Sequence, residues 1–249
     1  MAVNKDSNGY TFGFAITLVV VVGALLAGIA MWTKPFQDKN KEVKKKMDIL
    51  KAILVKEDYE KITRKNASDE FGKYVNLEDA IVLDLNGEVQ DDTKPFDVDI
   101  KKQYRDKELD KPENQGKKRY PLYIANVGGK KAYVIPVVGK GLWGPVWGNI
   151  CLDEDMQTIK GASFDHKTET PGLGAEIKQD FFIKGWIGEK ITDDNGDFLK
   201  FEVVKDKSGS KKESKVDGIT GGTITSKGVE EMVNRCLQPY IAYFKTLKN

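Results

Sequence analysis

The sequence predicts an α+β protein: one N-terminal transmembrane helix followed by a single mixed α+β domain. Three patterns carry this expectation. Residues Ser7 to Thr33 contain no charged side chain. From Tyr120 onward, short β-type runs alternate with glycines and charged turns. The last long segment repeats its apolar residues at helical spacing. Helices at the ends with strands between them argue against a parallel doubly wound sheet. The 249 residues suffice for a short anchor and one domain with a sizeable core. The expected organisation is a short tail at 1–10, an anchor at 11–33, a stalk helix at 34–56 and a soluble domain at 57–249.

The anchor rests on TFGFAITLVVVVGALLAGIAMW, which is long enough to cross a bilayer as a helix. Tyr10 and Trp32 flank it where amphipathic aromatics settle. A cleaved signal peptide fits less well, because its apolar region normally spans only about 7–15 residues. A lipidated cysteine is no alternative, since the first cysteine is Cys151. Lys34, Lys39, Lys41, Lys44, Lys45 and Lys46 follow the span, while only Lys5 and the amino terminus precede it. The positive-inside rule would then keep the domain in the cytoplasm, although long domains translocate largely regardless of flanking charge.

Beyond the span, Val43, Met47, Leu50 and Leu54 form a helical stripe with lysines opposite, and Pro35 predicts a break before it. Residues 57–116 are charged and carry little pattern, apart from AIVLDLNGEV at 80–89, a strand running into an Asn-Gly turn, and a polar loop at 107–118. The runs PLYIANV, KAYVIPVV, GNICLD and FLKFEVVK read as strands. Gly161–Gly174 reads as a loop holding one aromatic, Phe164. Residues 178–190 suggest a short helix interrupted by glycines, and DDNGD at 193–197 a turn. Val229, Met232, Val233, Cys236, Leu237, Tyr240, Ile241 and Phe244 define an amphipathic helix that Pro239 kinks or divides.

Composition excludes several chemistries. With 40 Lys+Arg against 38 Asp+Glu there is no basic excess to bind nucleic acid. One histidine, His166, and two distant cysteines, Cys151 and Cys236, cannot build the usual zinc or iron–sulfur spacings. Two buried thiols fit that pair better than a disulfide framework. His166 has no nucleophile-elbow motif beside it and reads as an exposed loop residue rather than a proton donor. GKGLWG (139–144) satisfies G-x-G-x-x-G, but PVWGNICLD follows instead of the helix that a dinucleotide needs. It is better read as a Gly-rich turn presenting Trp143 and Trp147, either to the core or to a flat ring.

The segment DGITGGTITSKGV (217–229) places hydroxyls and two adjacent glycines at a helix start near Ser226. Gly221 and Gly222 let backbone amides approach an anion, and the helix dipole points the same way. Thr225 or Ser226 can serve as N-cap. DGITGGT resembles the flavinylation motif Asp-x-x-(Ser/Thr)-Gly-Ala-Thr of proteins that carry FMN on a phosphoester to threonine. That match makes Thr223 the attachment residue, framed by Asp217, Thr220, Gly221 and Gly222, with glycine at 222 where the motif has alanine.

GKGLW (139–143), IKGASF (159–164), ETPGLGAEI (169–177), the anchor and NKEVKKKMDILKA extend the likeness. Together they resemble the C subunits of the sodium-translocating NADH:quinone reductases, over the anchor region and most of residues 117–240. The resemblance implies that the 57–249 domain binds FMN, covalently, through a phosphoester to Thr223. It implies that Leu142, Trp143, Glu169, Thr170, Leu173 and Gly174 line the flavin ring and that Ile224 and Thr225 adjoin it. A capped turn before Pro171 is the alternative for Glu169 and Thr170, and simple packing would explain Leu173 equally well. Also implied are partner subunits, a separate flavin transferase using FAD, electron relay from NADH to quinone, and sodium export. The family places such a chain in the bacterial inner membrane as a single-pass protein with its domain on the periplasmic side, against the lysine pattern. Rival readings are the G subunit of an Rnf-type ferredoxin:NAD complex, which shares the motif, and a cofactor-free membrane-anchored adapter.

Overall fold

The structure, a computed structural model, describes residues 7–205, 207–209 and 213–248. It divides into two compact units, Met1–Lys45 and Lys46–Asn249. The first unit is almost all helix, being the larger part of α1 (Asn8–Ile53). An 18-residue window of α1 has a mean hydropathy of 2.6 and no buried residue, so the helix is long and apolar enough to cross a membrane. Pro35 lies inside α1 and does not end it, which corrects the expected break. A proline there removes one helical hydrogen bond and crowds the carbonyl four residues before it, a local cost that the remaining bonds of a 46-residue helix outweigh.

In the second unit, the last turns of α1 bury Ile49, Leu50, Ala52 and Ile53. There follow α2 (Lys56–Tyr59), α3 (Ala67–Tyr74) and a hairpin of β1 (Ile81–Leu83) and β2 (Val89–Gln90). The Asn-Gly turn between them is held by Asn86 and Glu88 amides donating to Asp84 Oδ1, at 2.8 and 3.0 Å. Next comes α4 (Ile100–Arg105), capped by Asp99, and two 3₁₀ turns occupy the segment read as a polar loop. The long strands are β3 (Tyr120–Val127), β4 (Lys130–Lys140), β5 (Pro145–Leu152) and β6 (Ile159–His166). They complete an antiparallel six-stranded sheet in the order β2-β1-β3-β4-β5-β6. The chain ends with α5 (Asp180–Lys184), a parallel pair β7 (Glu202–Val204) and β8 (Lys215–Asp217), then α6 (Thr223–Cys236) and α7 (Gln238–Lys248).

Strand alternation sorts the sheet's two faces. Ile135, Val137, Val146 and Ile150 join Phe182, Trp186, Val229, Met232 and Leu237 in the main core. Ala132, Val134 and Cys151 join Leu50, Ile53 and Phe71 in a second core on the opposite face. The α6–α7 break falls at Leu237, which puts Pro239 in the first turn of α7, where its missing N–H is tolerated.

Three further expectations are corrected. Residues 159–166 are strand, and Phe164 belongs to the main core rather than to a loop. Gly161 is there because the Ala52 carbonyl approaches so closely that a Cβ would collide with it. In FLKFEVVK only Glu202–Val204 forms a strand. Helix α6 begins at Thr223, three residues before the expected start, with Gly222 as an N-cap that offers no side-chain bond. The Ile219–Gly222 turn, closed by Gly222 N–H to Ile219 C=O at 2.9 Å with Gly221 at φ +75°, delivers the chain directly into the helix.

Helix α6 lies close over the end of β4. A Cβ at Gly139 would stand 2.7 Å from Met232 Cβ, and one at Gly228 would collide with the Lys140 carbonyl. Gly228→Ala is therefore expected to destabilise the domain by about 1–3 kcal/mol in chemical denaturation of the detergent-solubilised chain. A slack contact would give the opposite sign, since alanine alone favours an exposed helix by about 1 kcal/mol.

Candidate functional site

The start of α6 faces a cavity of about 220 Å³. Three chain segments wall it. The β4–β5 turn contributes Leu142 and Trp143, and the segment after β6 contributes Glu169, Thr170, Leu173 and Gly174. The helix start contributes Gly221, Gly222, Thr223, Ile224 and Thr225. Thr223 is half-buried at the first helical position. The first helical bond to close is Ser226 N–H to Gly222 C=O, so the amides of Thr223, Ile224 and Thr225 stand ahead of it at the positive end of a 14-residue helix. Around this polar floor the rim is apolar: Trp143 is 66% exposed and Ile224 60%, with Leu142 and Leu173 also exposed. Amide donors beside an exposed apolar rim suit a ligand with an anionic end and a flat aromatic body.

Glu169 is only 4% exposed. Its Oε1 accepts the amide of Trp143 at 2.8 Å and that of Gly144 at 3.3 Å. Its Oε2 accepts the hydroxyl of Thr225 at 2.6 Å. Backbone closes over this carboxylate from both sides. A Cβ at Gly141 would lie 2.5 Å from Oε1, and one at Gly174 would collide with Oε2 and with Thr225 Oγ1. The glycines at 141 and 174 therefore make room for a buried carboxylate, a role that their sequence context as turn glycines does not reveal.

The hydroxyls near the helix start are not equivalent. Thr225 is 1% exposed and committed to Glu169. Ser226 Oγ donates to the Gly222 carbonyl at 2.9 Å and accepts the Ile219 amide at 3.1 Å. Neither Thr225 nor Ser226 is the expected N-cap, because the helix starts earlier and both lie inside its first turn. Thr220 is exposed in the turn, and neither it nor Asp217 lines the cavity. Asp217 instead accepts the Gly209 amide at 2.8 Å, at the end of β8. Glycine at 222 also has a local reason, since a Cβ there would sit 3.0 Å from both the Leu173 carbonyl oxygen and Ile219 Cγ2.

Other candidates fall elsewhere. Trp147 is outside the cavity lining, and Lys101 Nζ stands 3.3 Å from its ring centroid. His166 is half-buried at the end of β6 rather than exposed in a loop, and its Nδ1 accepts the Glu169 amide at 3.2 Å. Cys151 and Cys236 are buried free thiols. Burial pushes Cys151 up to about 12 and raises Cys236 as well, so neither supplies a thiolate at neutral pH. Among the described residues no cluster of His, Cys, Asp and Glu could hold a metal.

Residues 141–238 match the FMN-binding domain family. The chain is 30% identical to the C subunit of the Na(+)-translocating NADH-quinone reductase of Pseudomonas aeruginosa, over 93% of this chain and 92% of that protein. It is 29% identical to the C subunit of the same reductase from Haemophilus ducreyi, over 97% and 96% respectively. Among solved structures it resembles the corresponding C subunit from Parabacteroides distasonis, with a TM-score of 0.70 and 36% identity, covering 84% of this chain and 96% of that one. Its fold is also that of Shewanella oneidensis NqrC, with a TM-score of 0.62 at 24% identity, covering 84% and 98%.

Proposed function

Since this chain belongs to the family of Na(+)-translocating NADH-quinone reductase C subunits, we propose that its cavity holds FMN on a phosphoester to Thr223. The chain is one electron-carrying subunit of an NADH:quinone oxidoreductase, not a complete enzyme alone. When bound, FMN takes up and releases one or two electrons. The chain's own residues bind and orient it. Thr223 Oγ carries the phosphate, beside the amides at the start of α6. Leu142, Trp143, Leu173 and Ile224 hold the ring at the surface, where electrons can pass between partner subunits on the way from NADH to quinone. The observation that carries this reading is the meeting of Thr223, a helix N-terminus and an exposed apolar rim at one cavity.

Forming the ester is assigned to a separate flavin transferase. Threonine is a weak nucleophile, and the cavity's carboxylate, Glu169, is already engaged by Trp143, Gly144 and Thr225. With FAD as donor, Thr223 Oγ takes the FMN phosphoryl group and AMP leaves. Mass spectrometry of the peptide covering residues 217–227, from a host with that transferase, tests the assignment. The peptide is expected to carry one flavin phosphate on Thr223, and a bare peptide refutes it. Full-length likeness to the C subunits favours this reading over an Rnf-type G subunit. A cofactor-free adapter would be colourless.

We place the anchor at 11–33, the stalk at 34–56 and the FMN-binding domain at 57–249. We further propose that the complex sits in the bacterial inner membrane, exports sodium and holds this domain on the periplasmic side. External protease added to intact spheroplasts is then expected to digest the domain. Protection of the domain would put it in the cytoplasm, as the lysines after the anchor suggest.

A further inference from the structure

The three walls of the cavity meet at one side chain. Glu169 binds the β4–β5 turn through Oε1 and the first turn of α6 through Oε2, while its own amide is fixed by His166 Nδ1 at 3.2 Å. No ion pair engages the carboxylate among the described residues. Its bonds are all to neutral donors belonging to cavity walls. Thr225 is thus joined to the Trp143 turn through this carboxylate.

We infer that Glu169 is a positioning residue: it pins the Trp143 turn to the start of α6 and sets the gap beside Thr223 before any flavin is attached. Three donors from the cavity's own walls occupy the two oxygens of Glu169, so the bonds it makes join wall to wall. The inference rests on the reading that this cavity is the flavin site, but the pinning is a property of the chain alone. The two can therefore fail separately.

The test uses the full-length chain in detergent, carrying Thr223→Ala so that no flavin is attached. Amide hydrogen exchange is read at Trp143 and Gly144. Glu169→Ala removes both arms of the clamp and is expected to speed exchange at those two amides about tenfold, with the β5 amides unchanged. Glu169→Gln is expected to restore protection to within about threefold. A glutamine oxygen still accepts the two amides, and the Thr225 hydroxyl can reverse to accept from the side-chain NH₂. Unchanged exchange in Glu169→Ala, or no rescue by glutamine, overturns the inference. Should the alanine variant fail to fold, Thr225→Val gives the same test from the helix side. Loss of protection at Trp143 and Gly144 supports the clamp, since Thr225 is bonded to the carboxylate that accepts both amides, and no change refutes it. In the flavin-loaded chain with Thr223 intact, Glu169→Ala is expected to weaken the visible circular dichroism of the ring while the covalent band persists. An unaltered signal there counts against the pinning, whereas a missing band in the parent chain counts against the flavin reading alone.

Discussion

Thr223→Ala is expected to abolish covalent flavin altogether. In a host that makes the transferase, the variant gives no fluorescent band after denaturing electrophoresis, whereas Thr225→Ala keeps one. The structure supplies the reason for this selectivity among neighbouring hydroxyls. Thr225 is buried and donates to Glu169, Ser226 is bonded on both sides, and Thr220 lies outside the cavity lining. No such bond engages the Thr223 hydroxyl among the described residues, and Thr223 is half-buried at the cavity wall. Alanine is well accepted in the first turn of a helix, so the fold should change by less than about 1 kcal/mol. Loss of flavin with retained folding therefore isolates the ester. A band that survives Thr223→Ala refutes the attachment site.

Trp186→Ala is expected to produce the largest loss of stability. Trp186 is fully buried and packs on Phe201, Phe164 and Phe182, with ring centroids at 5.3, 5.6 and 6.2 Å. These rings tie β6 and α5 to the segment entering β7. Removing an aromatic side chain from such a site costs about 3–5 kcal/mol, a large share of a typical domain's total. Among the described residues Trp186 Nε1 has no hydrogen-bond partner, so the contribution read here is packing. Trp186→Phe keeps a ring and removes that unpartnered N–H, and should cost less than about 2 kcal/mol. Chemical denaturation of the detergent-solubilised chain measures both. A cost below about 1 kcal/mol for the alanine variant would show that the cluster collapses around the void.

The segments legible from sequence alone were those whose signal is local. A long uncharged apolar run predicts a helix long enough to span a membrane, and α1 contains it. The C-terminal apolar spacing could only be helical, with its break at the proline, and α6 and α7 meet beside Pro239. The residues named around Thr223 come from three distant stretches, and the motif likeness rather than any periodicity brought them together. Illegible features share one cause. Gly161 reads as a loop because glycine is a breaker locally, yet it lies in a strand because another element's carbonyl needs the space. Glu169 reads as a ring contact or a turn cap, yet its partners are 25, 26 and 56 residues away in sequence.

The amino-acid sequence by itself determined the apolar span, the class of the domain, the terminal helices and the hydroxyl-bearing glycine turn. Each follows from the polarity and backbone freedom of neighbouring residues, which act without reference to the rest of the chain. Tertiary structure alone decided which hydroxyls are spent and which is left, where α6 begins, that Asp217 braces a loop instead of the cavity, and that a buried carboxylate joins three walls. Those outcomes depend on satisfying buried polar groups and on backbone approaching backbone where no Cβ intervenes. Both conditions arise only once distant segments have been packed against one another.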